Sequence, residues 1–501
     1  MSNKTIAKNT LFLYIRMFFN MGIMLYISRI VLEVLGVEDF GIYNLVMGVV
    51  VLFSFFNGTM TATTQRFINI EKASNQLESV RKIFNLSIIN HIFIIITVIL
   101  LAETIGLWFL NEKLNIPFEK IETANIIFQI ALCITLVEII KVPFEATIIA
   151  YEKMSFFAWL GIIESLAKLV AIYSLVYVPI QNKLIAYSFL LLLVSLFRFL
   201  IYIFYTKKYF KQETQFKFYK DFSKTKELLH FSGWMLFGQV AVVGATQGLN
   251  MVINLFFGVI ANAAVGIANQ VDAAVYSFIN NFQIAFNPQL TQSYANKDYQ
   301  RNQTLILSTS KYSFYLMGIL SIPVLYFSHT LLTLWLGEHL PEHVEALVQV
   351  IILCSLINAM GGSFWITAMA IGGKSVKFYN IVLTIINLFT VPLAYYLFTL
   401  GYSPIYAFIG KFIINFIMQV FRVYFINKHI QFNRTELYSY LLNVLLIFSF
   451  IMTILYLSDT KRSYAFFEFL GQSILLEFIL LILILILGIN KKERIFLFTK
   501  L

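Results

Sequence analysis

Charge is scarce in this chain. Charged residues fill 13% of its 501 positions, about half the share of an ordinary soluble domain (~25%). Hydrophobic residues fill 59%, and the mean hydropathy is +0.78. A soluble globule of this length needs far more polar surface, so that class is excluded. Cysteine is nearly absent. Cys133 and Cys354 both sit inside apolar runs without metal-ligand spacing, so they read as small core residues with no redox role. Nothing resembles a nucleotide-binding domain. GGKS (Gly372–Ser375) imitates the end of a phosphate-binding loop, but the first glycine of that motif would fall on Ala368. It also joins two apolar runs instead of following a strand. ATP hydrolysis is therefore excluded unless a partner supplies it. No catalytic triad, carboxylate pair or metal-binding cluster emerges, and His91 stands alone in an apolar run. The chain is expected to be no enzyme and to need no cofactor.

What fills the space is a succession of apolar runs. Each is near the ~20 residues that cross a bilayer as a helix. Fourteen such spans are expected, from 9–32 and 40–64 at one end to 438–458 and 464–489 at the other. The fold class is an all-α polytopic membrane protein. Lys4 and Lys8 precede the first run, but no small-residue cleavage site follows, so that run reads as the first span. Lysine and arginine are lopsided between alternate connections. About 27 fall on one side, and about 5 on the other: Lys113, Lys120, Lys183, Lys461 and Arg462. This asymmetry predicts both termini in the cytoplasm and explains a net charge of +11 without nucleic acid. The longest connection, 207–230, is strongly basic. It predicts an N-lobe at 1–206 (spans 1–6), a linker at 207–230, a C-lobe at 231–428 (spans 7–12) and two extra spans with a tail at 429–501.

The halves look related. A shift of 222 residues lays Asn9 on Phe231 and Gly36 on Gly258. With three residues inserted, GIYN (Gly41–Asn44) then meets GIAN (Gly266–Asn269). Both halves start on the same side, so the repeat is expected to be parallel, about an axis along the membrane normal.

Polar groups at membrane depth are costly and point to a protein interior or to water. Asn269, Asp272, Tyr276, Asn280, Gln283 and Asn287 are spaced 3, 4, 4, 3 and 4, which makes one helical stripe. Gln247 and Asn250 share an arc of span 7, and Arg16 and Asn20 share one on span 1. Interhelical hydrogen bonding is one reading. Stripes echoed in both halves favour the other, a water-filled central cavity. Arg16 holds its charge at any physiological pH and can grip phosphate through two bonds, so in a cavity it suits an anionic substrate; a local salt bridge to a carboxylate is the other reading. Glu164 and Lys168 form an i,i+4 pair in span 5, and Arg198 lies within span 6. Asp272 is the candidate proton or sodium site.

SRIVLEVLGVEDFGIYNLV (Ser28–Val46) resembles the end of the first helix in bacterial polysaccharide flippases. There an LG turn is followed by an acidic residue, an aromatic and Gly-[Ile/Leu]-Tyr. Fourteen spans and a two-lobed repeat resemble the wider superfamily of multidrug and toxin extruders, lipid II flippases and oligosaccharidyl-lipid exporters. The resemblance implies an oligosaccharide on a polyprenyl diphosphate, moved to the outer leaflet of the bacterial inner membrane for O-antigen or other surface polysaccharide. It implies alternating access, coupling to a proton or sodium gradient, and work alongside polymerase or ligase machinery. Under it the cavity set is Arg16, Asn20, Lys168, Arg198, Gln247, Asn250, Asn269, Asn280 and Gln283, with Asp272 and Glu164 as ion-coupling candidates. A cation-coupled multidrug exporter on the same fold is the alternative.

Overall fold

The computed structural model describes residues 3–52, 56–73, 77–151, 153–178, 180–338, 340–457 and 464–489. Side chains of 3–17, 230–241 and some other positions lie outside that description. In chain order the helices begin with α1 (Asn3–Val51), α2 (Phe56–Ala73), α3 (Leu77–Leu101) and α4 (Leu107–Glu112). Then follow α5 (Ile121–Ala150), α6 (Met154–Tyr177), α7 (Lys183–Tyr209) and α8 (Phe222–Ala295). Next come α9 (Tyr299–Tyr326), α10 (Ser328–Leu336), α11 (Val344–Ala359), α12 (Gly362–Ile371) and α13 (Gly373–Leu388). The last are α14 (Thr390–Thr399), α15 (Pro404–Ile430), α16 (Arg434–Leu457) and α17 (Phe466–Leu483). No strand occurs among the described residues.

Twelve helical stretches among the described residues are long and apolar enough to cross a membrane. Two of them run through a backbone break: Phe18–Val51, with 34 residues, and Val242–Ala295, with 54. At 1.5 Å per residue these would run ~50 and ~80 Å, well beyond a hydrocarbon core of ~30 Å. Each is broken once. Gly36 has φ 77 and ψ 171, and Gly258 has φ 70 and ψ −167. This region of the backbone map belongs almost entirely to glycine. Fourteen spans are expected from the sequence, and the described residues hold twelve such stretches, two of them broken in this way. The two breaks fall on the pair of glycines that the 222-residue shift superposed.

Contacts divide the chain into two compact units, Met1–Ala263 and Ala264–Leu501. In the first, α5 packs against α7, α2 and α3, and α1 lies along α6. Its core gathers Ile42, Val46 and Val50 of α1 with Phe128, Leu132 and Ile139 of α5. In the second, α11 packs between α9 and α15, and α16 and α17 lie on α9. The two extra C-terminal spans are thus an addition to α9. Tyr315 of α9 donates to the Gly488 carbonyl at 2.8 Å, and the final span buries only 17% of its apolar window, so it sits at the rim.

Two expectations need correction. Cys354 is buried, but Cys133 is exposed on α5. A span is apolar on its lipid side as well as its core side, so an apolar neighbourhood does not identify core. Lys141, Lys311 and Arg422, counted above among the connections, lie inside α5, α9 and α15. Lys141 is 7% exposed and Lys311 3% exposed. Removing these three still leaves about 24 basic residues against about 5.

Candidate functional site

In the first unit the ionisable residues at depth converge. The α5, α6 and α7 helices each bring charges to one place. Arg198 of α7 donates to Glu138 of α5 and to Glu164 of α6. Lys168 pairs with Glu164 at 2.7 Å. Lys141 pairs with Glu138 at 2.7 Å and with Glu145 at 3.0 Å. Ser195, one turn before Arg198, donates to Glu138 at 3.0 Å. Three carboxylates therefore face three cations, and the cluster is neutral. Its members do not contribute equally. Arg198 is enclosed, with its Nε buried and unpartnered. Lys168 keeps 42% of its side chain exposed. It can leave Glu164 for another anion while Arg198 continues to hold that carboxylate.

The α1 helix meets this cluster at Asn20, whose side-chain oxygen accepts from Ser165 at 2.9 Å. Ser165 directly follows Glu164 in α6. Arg16 lies one turn before Asn20 in α1, but its side chain falls outside the described residues. Of the nine cavity residues expected from the sequence, the structure brings Asn20, Lys168 and Arg198 together, with the coupling candidate Glu164 among them. Glu138, Lys141 and Glu145 complete the cluster and were not expected as site residues from the sequence.

Gln247 and Asn250 are placed elsewhere in the same unit. Asn250 donates to Gln247 at 3.1 Å, and Gln247 Oε1 lies 2.7 Å from where a Cβ on Gly48 would stand. Asn254, fully buried, accepts from the Asn115 N–H at 2.7 Å and donates to the Asn115 carbonyl at 3.2 Å. Asn262 donates across the Gly258 break to the Asn250 carbonyl at 2.8 Å. Beside this clasp, a Cβ on Gly41 would stand 2.1 Å from the Val259 carbonyl oxygen. These amides hold helices together.

In the second unit the stripe on α8 divides by depth. Gln283 donates to Ser313 of α9 at 3.1 Å and to the Ala359 carbonyl at 2.7 Å. It is interhelical glue. Asn280 is exposed, and Asn269 is half-buried. Asp272 is hydrogen-bonded by Ser355 of α11, with the Lys411 charge of α15 nearby. Its Oδ1 is buried and has no partner. Lys411 lies over the Phe408 ring at 5.8 Å. Arg422, a turn of α15 beyond Met418, reaches Gln419 Oε1 at 3.4 Å, and its Nε is buried without a partner. A Cβ on Gly361 would stand 2.2 Å from Arg422 Nη1. The interior around Asp272 is therefore more positive than the first unit's neutral cluster. Ser355 and Arg422 were not read from the sequence as site residues. Ser355 carried no signal in an apolar run, and Arg422 was absorbed by the topology argument.

His91 is 1% exposed, and its Nδ1 lies 2.6 Å from the Ser87 carbonyl. No group of three His, Cys, Asp or Glu residues forms a metal site among the described residues.

Comparison with known proteins adds the family. A family model described as polysaccharide biosynthesis protein matches residues 6–295, and the MatE model matches residues 235–396. No curated protein sequence matches. Among solved structures, the chain is similar to the lipid II flippase MurJ in an inward closed conformation. That match has a TM-score of 0.71 at 15% identity, over 94% of this chain and 97% of the other. It is also similar to an inward-facing multidrug resistance MATE family transporter of the MOP superfamily, with a TM-score of 0.67 at 15% identity, over 82% and 94%. A third match, MATE in complex with MaD5, has a TM-score of 0.60 at 16% identity, over 85% and 96%. At such identities the likeness carries the fold alone, one shared with MurJ and the MATE transporters.

Proposed function

The chain belongs to the polysaccharide biosynthesis protein family, and from that premise we propose that it flips a polyprenyl-diphosphate-linked oligosaccharide. The substrate moves from the cytoplasmic to the outer leaflet of a bacterial inner membrane by alternating access, supplying surface polysaccharide such as O-antigen. The family match over residues 6–295 carries this reading. The chemistry supports it. A diphosphate needs cations that are not fully committed to protein carboxylates. Lys168 is suited to that role because its side chain is 42% exposed and its partner Glu164 is also held by Arg198, and Arg16 is the candidate that the sequence supplies. Arg198 is better suited to holding Glu164 and Glu138 in place. Both termini are assigned to the cytoplasm from the lysine and arginine asymmetry. Polymerase or ligase machinery would take up the flipped product.

Asp272 and Glu164 differ as coupling candidates. Protonating Glu164 would leave Lys168 unpaired and weaken the Arg198 clamp. Among the described residues Asp272 has an unpartnered buried oxygen and the Ser355 hydroxyl as its hydrogen-bond partner, so a proton is better accommodated there than a sodium ion, which needs several oxygen ligands. A multidrug exporter is the second reading, favoured by the MatE match at 235–396.

In cells lacking the protein, lipid-linked oligosaccharide is expected to accumulate on the cytoplasmic side. Wild type restores surface polysaccharide, and Arg16→Ala at normal protein level does not. Full restoration by Arg16→Ala would remove that residue from the site. No accumulation without the protein would remove the function.

A further inference from the structure

The connection after α7 has no helix or strand over 215–221 and is fixed along one edge. Asn85 of α3, fully buried, donates to the Gln215 carbonyl at 3.0 Å and accepts from the Lys217 N–H at 3.0 Å. Arg81 Nε donates to the Gln212 carbonyl at 2.7 Å. Lys217 bonds Glu78 at 3.0 Å, and Tyr219 also donates to Glu78. Asp221 pairs with Lys82 at 2.6 Å, and that bond holds its carboxyl below the usual carboxylate range. Polar pins of this kind occupy the first two turns of α3.

The opposite edge is bare. Here aromatic rings turn outward. Phe216 is 67% exposed, Phe218 70% and Phe222 82%. Lys207, Lys211 and Lys220 are exposed around them. From Lys207 to Lys226 there are seven lysines against one Glu and one Asp, and Asp221 is turned to α3. What remains outward is aromatic and basic. Its height is set by the two spans that flank it: α7 ends at Tyr209, and α3 begins at Leu77. Both helices belong to stretches long and apolar enough to cross a membrane, so the strap joins the ends of two candidate spans.

We propose that this strap is a lipid-binding surface, with Phe216, Phe218 and Phe222 seated among acyl chains and Lys207, Lys211 and Lys220 on anionic headgroups. Aromatic rings favour the interfacial layer, and basic residues beside it are drawn to anionic lipid. The occupant is the bilayer surface itself. A soluble acidic partner would match the lysines but not three rings at the level of the span ends. Because the strap leads directly into α8, the headgroup charge of the bilayer would act on the position where α8 begins. This inference does not depend on the transported substrate.

The test uses the full chain with Cys133→Ser and Cys354→Ser and a nitroxide on Phe218→Cys. It is reconstituted in vesicles of phosphatidylcholine alone or of phosphatidylcholine with phosphatidylglycerol. Collisions with a water-soluble nickel chelate are expected to fall several-fold in the phosphatidylglycerol vesicles, while collisions with oxygen rise. Replacing Lys207, Lys211 and Lys220 together by Gln is expected to erase the difference between the two lipids. A second label on Gln212→Cys, at the pinned edge, should read the same in both lipids and reports that the strap is still docked. Equal nickel accessibility at 218 in both vesicles, with the label at 212 unchanged, overturns the proposal and leaves a soluble partner as the occupant.

Discussion

Arg198 is the residue on which the first unit's charge cluster depends. Among the described residues it is the cation that touches both Glu138 and Glu164, which come from different helices. Removing one member of a buried ionic set leaves uncompensated charge, at a cost of about 3–5 kcal/mol. Arg198→Ala is therefore expected to lower the thermal unfolding temperature in detergent markedly, and Lys168→Ala much less, since Lys168 is half exposed. Equal losses from the two would contradict the account. The polar stripe on α8 gives a second test at this scale. Asn280 is exposed, and Gln283 is bonded between α9 and the end of α11. With the native cysteines replaced, Asn280→Cys is expected to react with an aqueous thiol reagent and Gln283→Cys to be protected. Equal labelling of the two would restore the whole stripe to water. Helical spacing alone placed both residues on one face, and rightly so. It carried no information on how wide the water-accessible arc is, because that width is set by neighbours distant in sequence, such as Ser313 and Ala359.

At the scale of elements, the two long helices are governed by their breaks. A side chain at Gly36 or Gly258 would be forced to positive φ with an extended ψ. For an L-residue even the milder left-handed region costs roughly 1–2 kcal/mol. Gly36→Ala and Gly258→Ala are each expected to lower stability by at least about that amount, measured by thermal unfolding, and by similar amounts because the backbone is the same at both. Neither glycine contacts a crowded wall: no atom lies within 4 Å of a Cβ at Gly36, and only Asn115 at 3.9 Å approaches one at Gly258. The loss would thus report backbone strain alone. A neutral substitution at either position would contradict the assigned break. These breaks were legible in advance, because a glycine between two apolar runs at matched spacing is a strong local signal. The clasp between Asn115 and Asn254 was not legible. It joins residues 139 positions apart through backbone groups, and nothing in the periodicity of either segment encodes it.

For the whole molecule, hydropathy was sufficient for the all-helical fold class, since the backbone polar groups of a chain segment inside a bilayer can be satisfied within a helix. Hydropathy did not separate lipid-facing from core-facing sides. Cys133 shows this, as do Lys141 and Lys311, whose charges are buried inside helices. The account's central claim is that a lipid-linked anionic oligosaccharide is what crosses. The most direct measurement places purified protein in vesicles that hold fluorescent polyprenyl-diphosphate oligosaccharide, beside identical vesicles loaded with an organic cation dye. Exposure of the sugar to an impermeant reagent outside, and dye efflux, are followed under the same ion gradient. The account predicts that the sugar crosses faster with protein than without, while the dye stays. Dye efflux with no movement of the sugar would contradict it and establish the multidrug exporter.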